Sequence, residues 1–189
     1  MKKLLAAMFV ALLMVGCGGP DLDDKETLDG IIAEAIVWGK LQERAKEGEK
    51  LAYAPNQETP YTGWVKVMWG NEQVRLLAQY EDGKGDGLFT SWYEKGQKEM
   101  EGNVKDGKPD GFGTGWYENG QKKAEVNCKD GKEDGLSTGW YENGDKKWES
   151  SFKGGKLMTS VQWKPNGEKC PVTNVVDGNG VLVGYYENG

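Results

Sequence analysis

The stretch from Gly111 to Asp134, GFGTGWYENGQKKAEVNCKDGKED, decides the fold of this chain because it is a repeat. Gly63, Gly87, Gly111 and Gly135 are each 24 residues apart, and so are Met68, Trp92, Trp116 and Trp140. Gly83, Gly107 and Gly131 keep the same spacing. The unit at Gly63 is degenerate, a weaker fourth copy runs from Leu157 to Val172, and a truncated copy, GYYENG, stands at 184–189. Short units that cannot bury an apolar face alone are stable when stacked, each against its neighbours.

Each unit carries two turn signals. One is E-N-G, at Glu118-Asn119-Gly120 and Glu142-Asn143-Gly144, with Glu94-Lys95-Gly96 as a variant. The other is K-D-G, at Lys105-Asp106-Gly107 and Lys129-Asp130-Gly131. Both fit three-residue hairpin loops with Gly in the left-handed region, and two-residue loops are the competing choice. Two odd loops and an even period place every even strand position on one face. That face would hold Leu88, Thr90, Trp92, Val104, Phe112, Trp116, Val126, Cys128, Leu136, Trp140, Trp148 and Phe152. The odd face would hold Glu99, Glu101, Asn103, Lys123, Glu125, Asn127, Lys147 and Glu149. This is the pattern of an antiparallel sheet with one buried face. Trp92, Trp116 and Trp140 then pack inward. Tyr93, Tyr117 and Tyr141 form an exposed ladder beside Gly113, Gly115 and Gly139, edged by Glu99, Glu125 and Glu149, and make the candidate surface for binding. In the fourth copy Gly154-Gly155 reads as a two-residue loop that pairs Phe152 with Leu157, after which the apolar face continues on Leu157, Thr159, Val161 and Trp163.

The expected fold is therefore an all-β repeat. Residues 60–189 form a meander of stacked antiparallel hairpins, about ten short strands in one twisted sheet. Its apolar face needs a cover, because monomers rarely expose so large a patch. Residues 41–59 read as a lead-in hairpin, Leu41–Ala45 and Lys50–Ala54 around Lys46-Glu47-Gly48-Glu49. Residues 17–40 read as an acidic tether, Asp21–Glu26, followed by a short helix. Its apolar residues are Leu28, Ile31, Ile32 and Ala35, with Asp24 as N-cap and a stop near Gly39, and it would cap the first hairpins.

The chain starts with an address. Lys2 and Lys3 precede an apolar run from Leu4 to Val15, too short to span a bilayer, and residues 1–16 read as a signal peptide. Met14-Val15-Gly16-Cys17 resembles a bacterial lipobox, with Met14 where Leu is usual. The resemblance implies an acylated Cys17 as mature N-terminus and, since no Asp follows it, the outer membrane. Removing residues 1–16 takes away two lysines and no acids, so the net charge of −6 becomes −8.

Composition excludes much chemistry. There is no His, which removes His-based triads and His-ligated zinc. Thirty acids against 24 bases argue against a nucleic-acid partner. No nucleophile elbow, P-loop or dinucleotide fingerprint is present. Asp106 with Asp110, and Asp130 with Asp134, lack the spacing of calcium loops and read as turn residues. The expectation is no catalytic residue, no metal and no cofactor. Cys128 and Cys170 fall four strands apart, about 19 Å at ordinary strand spacing, against the ~7 Å limit of a disulfide, so both thiols should be free.

The repeated W-Y-E-N-G-Q-K and K-D-G-K-x-D-G blocks resemble the variant MORN repeat of bacterial proteins, grouped as YwqK-type antitoxins. Pro60-Tyr61-Thr62-Gly63 is similar to the segment that precedes such arrays. The resemblance covers residues 50–170 and implies a β-hairpin array without catalytic residues. The expected function is a lipid-anchored envelope protein. It would be held to the membrane by its N-terminal lipid and present an interaction surface to a protein or envelope glycan. Alternatives are an antitoxin-like neutraliser of a partner toxin and, third, a glycan hydrolase.

Overall fold

The computed structural model describes residues 19–187. Helix α1, Lys25–Glu34, is followed by the short strand β1, Ile36–Val37, and a 3-10 turn at Trp38–Lys40. Strands β2, Gln42–Lys46, and β3, Glu49–Tyr53, form a hairpin of their own. Thirteen strands follow. They are β4, Gly63–Met68; β5, Val74–Glu81; β6, Lys84–Trp92; β7, Lys98–Lys105; and β8, Lys108–Pro109. Next come β9, Gly111–Trp116; β10, Lys122–Lys129; β11, Lys132–Glu133; β12, Gly135–Trp140; and β13, Lys146–Lys153. The last are β14, Lys156–Gln162; β15, Asn174–Val176; and β16, Asn179–Val181. With β1 on its edge, parallel to β4, the meander makes one open 14-stranded sheet in the order β1-β4-β5-β6-β7-β9-β10-β12-β13-β14-β15-β16. The two-residue strands β8 and β11 extend the β7 and β10 hairpins. The all-β repeat architecture is as expected.

The register is not. E-N-G forms the expected three-residue loop. Tyr117 N–H donates to Gln121 O at 2.9 Å, and Gly120, at φ +84°, donates to Tyr117 O. K-D-G instead forms a two-residue loop. Lys105 pairs with Lys108 and Lys129 with Lys132. Both loop residues have positive φ, 49° and 75° at Asp106-Gly107, as a type I′ turn requires. Aspartate tolerates the left-handed region well enough to hold the first position. The second departure is a β-bulge just past each E-N-G loop. Trp116 pairs with Lys122 but Gly115 with Ala124, so Lys123 is the extra residue. Glu99 and Lys147 are bulged in the same way. Together the two features join even positions to odd ones along most of each strand pair from β6 to β13.

The two faces are therefore mixed. The indole face carries Leu88, Thr90 and Trp92 with Glu101 and Asn103, and in the next unit Phe112, Thr114 and Trp116 with Glu125 and Asn127. The glycine face carries Gly111, Gly113 and Gly115 opposite Cys128, Val126 and Ala124. Lysine–glutamate pairs tolerate the indoles: Lys98 bonds Glu101 at 2.7 Å, and its Nζ lies 5.5 Å from the Trp116 ring centre. In the fourth copy Phe152 pairs with Leu157 as expected. A further bulge then returns Thr159 and Val161 to the indole face, beside Ser151 and Glu149.

Bonds between units run along both edges. At the K-D-G edge, the N–H of Gly107 donates to Gly85 O at 2.7 Å, of Gly131 to Pro109 O at 2.9 Å, and of Gly155 to Glu133 O at 2.8 Å. The Asp of K-x-D accepts from the next turn: Asp110 from the Asp130 N–H at 3.1 Å and Asp134 from Gly154 at 2.8 Å. At the E-N-G edge, the hydroxyls of Tyr93, Tyr117 and Tyr141 donate to the carbonyls of Trp116, Trp140 and Trp163, each at 2.8 Å. Trp69 holds the Tyr position of the degenerate unit, and its indole N–H does the same to Trp92 O at 3.0 Å.

Helix α1 covers the indole face of the first units. Asp24 caps it, accepting from Thr27 N–H at 2.8 Å, and it ends at Glu34 rather than near Gly39 because the chain turns extended to pair β1 with β4. Leu22, Ile31 and Ala35 are buried with Leu77 and Trp92, flanked by Leu28, Ile32, Trp64 and Leu88. Lys98 holds Asp23, and Lys66 donates to the last-turn carbonyl of Ile32. Beyond this cover Phe112 and Leu136 stand exposed.

Tyr141 is fully buried and its bond to Trp163 O ties the third unit to the fourth. Tyr141→Phe should lower the unfolding free energy by about 1–2 kcal/mol, the cost of a lost bond with its part-buried acceptor left unpaired. Chemical denaturation reads this directly, and an unchanged midpoint would contradict it.

Candidate functional site

The candidate tyrosines are not an exposed ladder. Tyr141 is fully buried, Tyr93 and Tyr117 are half-buried, and all three hydroxyls are engaged with the next unit. Burial pushes each phenol above its ordinary pKa. At Tyr93 the neighbouring carboxylates of Glu99, Glu118 and Glu142 add to the rise. Glu125 and Glu149 do not edge them; they sit on the indole face with Lys122 and Lys146. Trp92 is buried as expected, while Trp116 and Trp140 are half-buried. Asp110 and Asp134 serve turns. Among the described residues no group of three or more metal-ligating side chains is gathered. Cys17 lies outside the described residues.

What the tyrosine edge does form is one wall of a groove. On the glycine face, a groove of about 320 Å³ runs over β7, β9 and β10. Its floor is Gly102, Gly113 and Gly115, and its walls are Phe89, Tyr93 and Met100 on one side and Ala124, Val126 and Cys128 on the other. Glu99 and Lys123, the two bulged residues, also line it. Met100 is 48% exposed on the rim. The groove is apolar with charges at the margin and has the size of the smallest ligand sites. It suits one planar ring. Burying one such ring contributes ~1.5–3 kcal/mol, short of the ~4 kcal/mol that even a millimolar complex needs.

A second cleft, of about 640 Å³, opens between the β2–β3 hairpin and the first turns. Trp38 and Tyr80 lie there 5.9 Å apart. Of its three lysines, Lys50, Lys84 and Lys108, Lys84 is bonded to Glu49 at 2.7 Å and lies 3.8 Å from Asp106. The Lys84–Glu49 pair joins the hairpin to the array.

Cys128 and Cys170 are free, as expected. Cys128 lines the groove, half-buried. Cys170 is buried and accepts from the Tyr185 hydroxyl at 3.3 Å.

Sequence reasoning missed the groove because it placed the glycines and Val126 on opposite faces. The signal was available in the repeat columns. Position 124 is Ala where 100 and 148 are Met and Trp, and position 99 is Glu where 123 and 147 are Lys.

No family model matches this chain, and no curated protein matches it.

Burial, then the carboxylates of Glu133 and Asp110, push the Cys128 thiol above its ordinary pKa. Less thiolate forms at a given pH. Iodoacetamide at pH 8 should therefore modify Cys128 more slowly in the folded chain than in the denatured chain, as read by mass spectrometry of the Cys128 peptide. Faster modification of the folded chain would contradict this placement.

Proposed function

We propose that the protein is a non-enzymatic, lipid-anchored component of the bacterial cell envelope, facing the periplasm or exterior from the outer membrane, whose repeat array presents an interaction surface. One observation carries the reading. The recurring tyrosines and the aspartates of K-x-D are bonded to neighbouring units, and one shaped feature left open on the array is an apolar groove. A catalytic site needs polar groups aimed at a substrate, not at the next turn. The anchor rests on Met14-Val15-Gly16-Cys17. The tether meets the array early, since Leu22 is already buried against it, which would hold the sheet close to the membrane. No described helix is long and apolar enough to cross a membrane.

The second reading is an antitoxin-like neutraliser, supported by the variant MORN resemblance. It differs from the first in needing a toxin as occupant of the same array. Protection on co-expression with a toxin encoded alongside would support it.

Cells grown with radiolabelled palmitate should label the wild-type chain and not Cys17→Ala, and the variant should leave the membrane fraction. Equal labelling of the two would defeat the anchor.

A further inference from the structure

The groove lies where two columns of the repeat change residue type. The first is the column 100, 124, 148. Trp148 stands opposite Gly139, and Ala124 stands in the same place opposite Gly115. The Trp148 indole lies so close on Gly139 that a Cβ there would meet it at 2.3 Å, and Gly139 is buried. Phe89 lies on Gly102 in a similar way, 3.1 Å from where a Cβ would be. Ala124 is too short to cover Gly115. Gly113 and Gly115 remain half-buried, and a Cβ on Gly115 would meet nothing nearer than the Glu99 carbonyl at 3.7 Å.

The second is the column 75, 99, 123, 147, the bulged residues. In three units this residue is a cation laid on the aromatic ring of the edge ladder: Arg75 on Trp69 at 4.7 Å, Lys123 on Tyr117 at 5.6 Å and Lys147 on Tyr141 at 4.9 Å. Beside Tyr93 the column holds Glu99, a carboxylate, and among the described residues no cation lies over the Tyr93 ring. Glu99 accepts from Ser91 Oγ through one oxygen, at 3.2 Å. One groove thus lacks the ring that Trp148 lays on Gly139 in the following unit, where the preceding unit has Met100, and the cation that the other three units lay on the edge ladder.

We propose that this groove binds a segment of a partner polypeptide carrying an aromatic side chain beside a lysine or arginine. The ring lies on Gly113 and Gly115 next to Ala124, and the cation lies over Tyr93 against Glu99. Charge complementarity selects the cation, since the Glu99 carboxylate lines the groove beside Tyr93 where the other units place a cation. A polypeptide is the occupant because a lone ring binds more weakly than ~1 mM, so neighbouring contacts, with exposed Met100 at hand, must add to it. This names the partner chemistry of the interaction surface and rests on that reading.

The test uses the full chain and three dye-labelled peptides of equal length, with Trp-Lys, Trp-Glu or Ala-Lys at the centre, followed by fluorescence anisotropy. The Trp-Lys peptide should bind tightest, by about tenfold over either control. Ala124→Trp supplies the ring from within and Glu99→Lys supplies the cation, so each should weaken Trp-Lys binding by about tenfold with circular dichroism unchanged. Equal affinity for the three peptides, or Glu99→Lys binding as wild type, overturns the proposal even if Ala124→Trp fails to fold. Free tryptamine competing as strongly as the Trp-Lys peptide overturns the polypeptide assignment. Peptide binding is independent of acylation, so failed palmitate labelling of Cys17 removes the anchor and leaves this result standing.

Discussion

Everything in the array depends on the hydrogen bonds that each unit donates to its neighbour outside the strand ladders. A two-residue Asp-Gly loop leaves its glycine N–H pointing along the stack. The carbonyl of the preceding unit accepts it: Gly85 O from Gly107, Pro109 O from Gly131 and Glu133 O from Gly155. The Asp side chain of K-x-D takes the N–H next to it. At the other edge a phenol or indole reaches across to the Trp carbonyl of the next unit. These bonds explain why the units repeat in polar positions as strictly as in apolar ones. A sheet held by burial alone would need its apolar residues on one face, and this sheet does not keep them there.

Because the edges carry the specification, the faces are free to vary. The indole face is covered by α1 over the first units and is left with Phe112 and Leu136 exposed further on. Its Lys–Glu pairs lie against the indoles and cover them in part. On the glycine face the same columns hold Met, Ala and Trp in turn, and only the last is a ring laid on a glycine. The groove follows from that variation. It is a local exception within a regular framework.

Much of this was legible. Repeat length, hairpin order, the E-N-G loops, the Gly154-Gly155 loop, the Asp24 cap, the lead-in hairpin and the unpaired cysteines all follow from spacing and turn chemistry. The faces were not legible, for two physical reasons. Asp-Gly fits both a two- and a three-residue loop, and the clean even/odd split of polarity favoured the wrong one. The bulges at Glu99, Lys123 and Lys147 then shift parity again, and a bulged Lys reads in sequence like any exposed strand residue. The tyrosines suffered from the same parity. They were expected to be wet, and instead their hydroxyls bridge units.

The most direct test of this account is amide hydrogen exchange at the K-D-G turns. Gly107, Gly131 and Gly155 sit at turn tips with neighbours open to water, where an unbonded amide exchanges freely. The cross-unit bonds require these three glycine amides to be protected nearly as well as the strands beside them. Exchange at the rate of an open turn would mean that the units are not joined there, and the account of the fold would fail.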